Sequence, residues 1–109
     1  MERKVEFNSC GDTIRGVLHI PDGVENPPLV VMAGGWCYVK EIVMPYYADD
    51  FMEIGCACLI FDYRRFGDSD GMPRQHINPW DQIEDYRNAI SYAMTLDEVD
   101  TDRIGVWGI

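Results

Sequence analysis

Three short stretches carry residue types whose spacing could do acyl-transfer chemistry. The first, Arg103-Ile-Gly-Val-Trp-Gly-Ile109, is an apolar run that meets a glycine. A serine nucleophile raised on a sharp turn after a buried strand is written G-x-S-x-G. Gly108 and Ile109 fit its first two places, so they read as the start of a nucleophile elbow. The serine is expected at the position after Ile109. The second stretch is Gly34-Gly35-Trp36, at the end of another apolar run. A glycine pair there lets backbone N–H groups come close to a substrate oxygen. A tetrahedral intermediate needs such donors aimed at its oxyanion. The competing reading is an ordinary strand-to-loop turn, but the order of the two stretches along the chain favours an oxyanion loop.

The third stretch, Gly67-Asp68-Ser69-Asp70-Gly71, matches G-x-S-x-G literally. Its context is wrong. An elbow joins a strand end directly to a helix, whereas here the preceding apolar run ends at Phe61 and Met72-Pro73 follows. Flanking aspartates would also oppose the negative charge that develops during attack. A polar turn is the better reading for Ser69. His76, in the same loop, could reach Ser69, and the two are kept as the alternative site. The other histidine, His19, shares a strand face with Thr13 and Arg15 and is expected in water. Asp62 and Arg64 follow an apolar run and are expected to pin the loop by hydrogen bonds or ion pairs.

The four cysteines are Cys10, Cys37, Cys56 and Cys58. Cys56 and Cys58, two apart on a strand, share a face and read as small buried apolar residues. Metal-ligand spacing is absent, and neither a metal nor a cofactor is expected. Trp80, Tyr86 and Tyr92 lie on or near a helix stripe and are expected in the core. Trp36 is different, because a side chain in an oxyanion loop can line an acyl pocket.

The elements that must position these residues follow from periodicity. Val5 and Phe7 alternate with polar neighbours, and Ile14, Gly16, Leu18 and Ile20 share one face of a second alternating run. Separated by the turn cluster Ser9-Cys10-Gly11-Asp12, the two runs predict an antiparallel hairpin with one wet face. Residues 21–28 form a Pro- and Gly-rich loop. The continuous runs Leu29 to Ala33 and Ala57 to Phe61 predict strands buried on both faces, and Ile104 to Trp107 predicts a third. Between them, Ile42 to Ile54 has helical spacing, with Val43, Tyr47, Phe51 and Ile54 on its stripe, Pro45 in its first turn and Gly55 just past its end. A second helix begins with Asn78 as cap, Pro79 at the first position and Asp81 where a capping-box acid would sit. Its stripe is Ile83, Tyr86, Ile90, Ala93 and Met94. Asp81, Glu84 and Asp85 crowd the positive end of the helix dipole. Strands alternating with helices mean a parallel sheet with right-handed crossovers.

A chain of 109 residues allows at most one domain. Its 47% hydrophobic content is globular. A net charge of −10 argues against nucleic acid as partner. No apolar run approaches the roughly 20 residues that span a bilayer, so no membrane partner is expected. The charged opening Met1-Glu2-Arg3-Lys4 lacks a signal-peptide core, and a cytosolic location is expected.

Three blocks in order carry a resemblance: Pro28-Leu-Val-Val-Met-Ala-Gly-Gly-Trp36, Phe61-Asp-Tyr-Arg-Arg-Phe-Gly-Asp-Ser69 and Asp102-Arg-Ile-Gly-Val-Trp-Gly-Ile109. Together they resemble the α/β-hydrolase superfamily. Val39-Lys40-Glu41, Pro73-Arg74-Gln75 and Asn78-Pro79-Trp80 resemble its dienelactone-hydrolase-like branch, which includes fungal polyketide acyltransferases and thiohydrolases. The resemblance implies that residues 1–109 are a single, incomplete domain, the N-terminal part of an α/β-hydrolase fold cut before the nucleophile. It implies a serine hydrolase or acyltransferase acting on small-molecule or acyl-carrier-bound esters or thioesters, inactive in this form because serine, acid and histidine all lie beyond Ile109. Gly35 and the Trp36 N–H are the implied oxyanion residues. Relatives usually carry His-Gly where this chain has Gly34-Gly35, which predicts a looser loop. The alternative is a non-catalytic truncated product or partner-binding module. In that case the terminal strand would be a sticky edge through which the chain self-associates.

Overall fold

The computed structural model describes residues 1–109. Five strands, β1 (Glu2–Ser9), β2 (Asp12–His19), β3 (Leu29–Met32), β4 (Ala57–Phe61) and β5 (Ile104–Trp107), and two helices, α1 (Met44–Glu53) and α2 (Pro79–Ala93), make the fold. The strands form one sheet in the order β1-β2-β4-β3-β5. β1 and β2 are the expected antiparallel hairpin, and β2 pairs antiparallel with β4. β3 pairs parallel with β4 on one side and with β5 on the other. Each parallel connection carries a helix, as a crossover requires.

The pleat divides the two continuous apolar runs between two cores. Leu29, Val31, Ala57, Leu59 and Phe61 face α2 and join Val5, Phe7, Ile14 and Leu18 in the larger core. Met32, Cys58 and Ile60 face α1 and meet Met44 and Ala48. Buried on both faces, Cys58 has its thiol pKa pushed up to about 12. Phe7 stacks on Tyr92 and meets Phe61 edge-on, with ring centroids 5.3 and 5.9 Å apart.

Several sequence expectations need correction. The apolar face of α1 is Met44, Ala48, Phe51 and Met52 rather than the stripe through Tyr47 and Ile54. The helix starts at Met44, two residues later than periodicity suggests, with Val43 at φ 66° as a non-helical cap. Ile54, the residue just past the last helical one, is exposed. In α2, Ile83, Met94 and Trp80 are exposed, whereas Asp85, Ala89 and Ala93 are buried. Asn78 caps as expected, its Oδ1 accepting from the Trp80 N–H at 3.0 Å. β5 is not buried on both faces. It pairs only with β3, and Val106 is 59% exposed. No helix is long and apolar enough to cross a membrane.

His19 is also buried, not solvated, because the outer face of β2 is partly covered near α1. Burial pushes its pKa down. The Glu2 carboxylate at 3.4 Å and Asp49 oppose the shift, and the N-terminal ammonium adds to it. The folded value therefore lies below the unfolded value of about 6.5. Below that pH the unfolded chain binds the extra proton, so stability falls as pH drops and levels off above about 6.5. Urea midpoints across about pH 5 to 7.5 are expected to show this slope, and His19→Gln to flatten it. Equal slopes in the two proteins would contradict the assignment.

Candidate active site: the glycine loop and the end of β5

Parallel pairing in the register Leu29↔Ile104 to Met32↔Trp107 carries β3 and β5 to the same end of the sheet. The glycine pair leaves β3 there, and Gly108-Ile109 leaves β5. They meet. A Cβ on Gly35 would lie 2.8 Å from the Ile109 carbonyl oxygen, so only glycine fits that approach. Gly35, Trp36, Cys37, Tyr38 and Ile109 line a mostly apolar cleft of about 430 Å³. The Trp36 indole is 68% exposed, at its mouth. A larger open cleft of about 700 Å³ shares none of these residues, and its lining is mostly charged side chains such as Lys4, Arg15 and Glu41.

The loop is held, not loose as the Gly34-Gly35 pair predicts it to be. Three successive carbonyls are held. Tyr63 Oη donates to the Gly34 carbonyl at 2.9 Å, the Tyr38 N–H to the Gly35 carbonyl at 2.9 Å, and Gln82 Nε2 to the Trp36 carbonyl at 2.7 Å. In a trans peptide the N–H points opposite its carbonyl. Holding these carbonyls therefore sets the directions of the Gly35, Trp36 and Cys37 N–H groups. Neither the Gly35 nor the Trp36 N–H donates to a backbone carbonyl, which leaves both free for a ligand oxygen. Trp36 adopts φ 47°, a left-handed conformation uncommon for a bulky residue. Burial, with the neighbouring Tyr86, raises the Tyr63 pKa well above the ordinary phenol range. The phenol stays protonated and remains a donor.

Loop 62–77 is built on two buried carboxylates. Asp62 accepts from the Lys40 N–H at 2.7 Å, from Lys40 Nζ at 2.8 Å and from the Asp68 N–H at 2.9 Å. A Cβ on Gly67, at φ 54°, would overlap the Asp62 carboxylate. Burial opposes the Lys40 charge, but Asp62, Asp68 and Glu41 outweigh it and raise its pKa. Asp85 accepts from the Arg64 N–H at 2.8 Å, from Arg64 Nε at 2.7 Å and from Ser9 Oγ at 2.7 Å. Asp81 does not close a capping box. Its carboxylate takes Arg65 at 2.6 Å instead. Asp62 and Arg64 thus pin the loop, each through a partner other than the other.

Sequence reasoning missed Asp85, Tyr63, Tyr86 and Gln82. Asp85 was readable in principle, because Asp81 and Asp85 are one helical turn apart and Arg64-Arg65 lies just upstream. The tyrosine and glutamine roles depend on which way the loop turns, and nothing local signals that.

Ser69 is 2% exposed. Its Oγ donates to the Asp62 carbonyl at 2.7 Å and accepts the Arg15 N–H at 2.9 Å. His76 is exposed and makes no hydrogen bond to it. The four cysteines are free, and no three His, Cys, Asp or Glu side chains group closely enough to hold a metal ion.

An antiparallel hairpin leading into a parallel sheet with β5 beside β3, and the glycine pair facing the β5 exit, match one architecture closely. The chain has the N-terminal portion of the α/β-hydrolase fold. Similar solved structures bear this out. The α/β-hydrolase GrgF from Penicillium sp. sh18 superposes with a TM-score of 0.93 at 32% identity, covering 100% of this chain and 37% of that one. Among curated proteins, thiohydrolase aneE of Aspergillus aculeatus is 43% identical over 107 residues, 97% of this chain and 33% of the relative. Acyltransferase drtE of Aspergillus calidoustus is 40% identical over 106 residues, 97% and 34% respectively. The chain therefore spans about a third of the length of the relatives it matches. No family model matches it.

Removing the Ser69 hydroxyl leaves a buried N–H and carbonyl without their partner. Ser69→Ala is expected to destabilise the chain by about 1–3 kcal/mol, read from urea unfolding. A stability change below about 0.5 kcal/mol would show that the hydroxyl does not pin the loop.

Proposed function

We propose that this chain supplies the oxyanion half of a serine hydrolase or acyltransferase site that acts on ester or thioester bonds. One observation carries the reading: the Gly35–Trp36 loop and the Gly108–Ile109 turn abut at one end of the sheet. The names of aneE and drtE favour hydrolysis or transfer of an acyl group. In the proposed reaction a serine Oγ following Ile109 attacks the acyl carbonyl. The Trp36 N–H, with Gly35 beside it, stabilises the negative oxygen. A histidine takes the serine proton and returns it to the departing alcohol or thiol, and water or a second acceptor then takes the acyl group. Serine, histidine and acid are assigned to positions outside residues 1–109, and the activity to the longer protein. A cytosolic site of action belongs to the same proposal.

The test uses an activated aryl ester. The 109 residues alone are expected to give no burst of product. The longer reading frame that carries the proposed serine, histidine and acid is expected to give one, which is lost when that serine becomes alanine. A burst from the 109 residues that Ser69→Ala abolishes would overturn the assignment.

A further inference from the structure

Gln82 and Tyr86 are one turn apart on α2 and so lie on the same face. Both point at the glycine loop, from opposite ends of it. Tyr86 Oη accepts the Ala33 N–H at 2.8 Å, just before the glycine pair. Its own proton reaches the Trp107 carbonyl at 3.1 Å, with the Ala33 carbonyl farther away at 3.4 Å. Gln82 Nε2 holds the Trp36 carbonyl at 2.7 Å, just after the pair. A Cβ on Gly108 would come within 3.2 Å of Tyr86 Oη. The hydroxyl therefore sits in the seam between the β3 exit and the β5 exit. The ring is held by Phe61 and Tyr63, with centroids 5.2 and 6.1 Å away. Burial raises the phenol pKa, although its bond to Ala33 and the neighbouring Tyr63 hydroxyl pull the other way. The group therefore stays protonated and can donate and accept together.

We infer that Tyr86 is a positioning residue that sets the spacing between the oxyanion loop and the turn after β5, and that Gln82 fixes the far side of the same loop. Without the Tyr86 hydroxyl, the Ala33 N–H and the Trp107 carbonyl lose the atom that joins them. Each strand exit can then move independently, although the β3–β5 ladder stays intact. Without Gln82, the peptide after Trp36 is free to rotate. The inference rests on reading Gly35–Trp36 as the oxyanion loop, but its test needs no turnover.

Amide hydrogen exchange and ¹⁵N–¹H spectra of the 109-residue chain decide it. In Tyr86→Phe, which keeps the ring, Ala33 exchange is expected to accelerate about tenfold or more relative to Val31. The Gly35 and Gly108 amide resonances should move in the same variant. In Gln82→Ala, Ala33 keeps its protection while the Trp36 and Cys37 resonances move. Unchanged Ala33 protection in Tyr86→Phe, or a uniform acceleration across all amides, overturns the inference. If Tyr86→Phe does not fold, Gln82→Ala decides alone, and unmoved Trp36 and Cys37 resonances overturn it. A longer protein without esterase activity would sink the proposed function and leave this result standing.

Discussion

The parallel ladder between β3 and β5 is the constraint on which the site depends. Four residue pairs, Leu29↔Ile104 through Met32↔Trp107, fix which residues leave the two strands side by side. A one-residue slip would turn every side chain of β5 to the other face. It would also withdraw Ile109 from Gly35. The ladder is supported from both sides. Trp107 packs on Tyr47 and Phe51 of α1, with ring centroids 4.3 and 6.2 Å away. On the opposite face, Ile104 packs against the larger core. β5 itself has one neighbour only, so its placement rests on these contacts and on the carbonyl bond from Tyr86.

Helix α2 does more than cover the sheet. Its polar residues fall into two pairs at one-turn spacing. Asp81 and Asp85 hold Arg65 and Arg64 of the loop after β4. Gln82 and Tyr86 hold the loop after β3. The pairs are offset by one residue, so a single rigid rod indexes two loops against each other. The buried Asp85 carboxylate suits this task because it accepts the Arg64 N–H, Arg64 Nε and Ser9 Oγ at once. No buried polar side-chain atom is left without a partner. Losing one partner would leave a charge in the core, a change that typically costs about 3–5 kcal/mol.

Much of the scaffold was legible in the residue pattern. Alternation along Val5–Phe7 and Ile14–Leu18 marks the hairpin, and the unbroken runs at 29–33 and 57–61 mark strands with two covered faces. The α2 start at Asn78-Pro79 follows from capping chemistry. Burial phase was less readable. The α1 face turns on a left-handed Val43 and on the small Ala48, which lets the helix approach Cys58 closely enough for the thiol to contact the Ala48 carbonyl at 3.8 Å. His19 looked wet because its strand neighbours are polar, yet a distant helix covers it. The fold brings together the two glycine-bearing strand ends of the candidate site, which were legible. The clamp that holds them was not, because tyrosine and glutamine on an amphipathic helix look like ordinary core-edge and surface residues.

The glycine loop and the end of β5 lie against each other. Long-range nuclear Overhauser contacts from the Gly35 α-protons to Ile109, measured on the 109-residue chain, test it most directly. The fold predicts observable contacts, because the Gly35 Cβ position lies 2.8 Å from the Ile109 carbonyl oxygen. Absence of those contacts, with β5 amides at random-coil positions, would contradict the account.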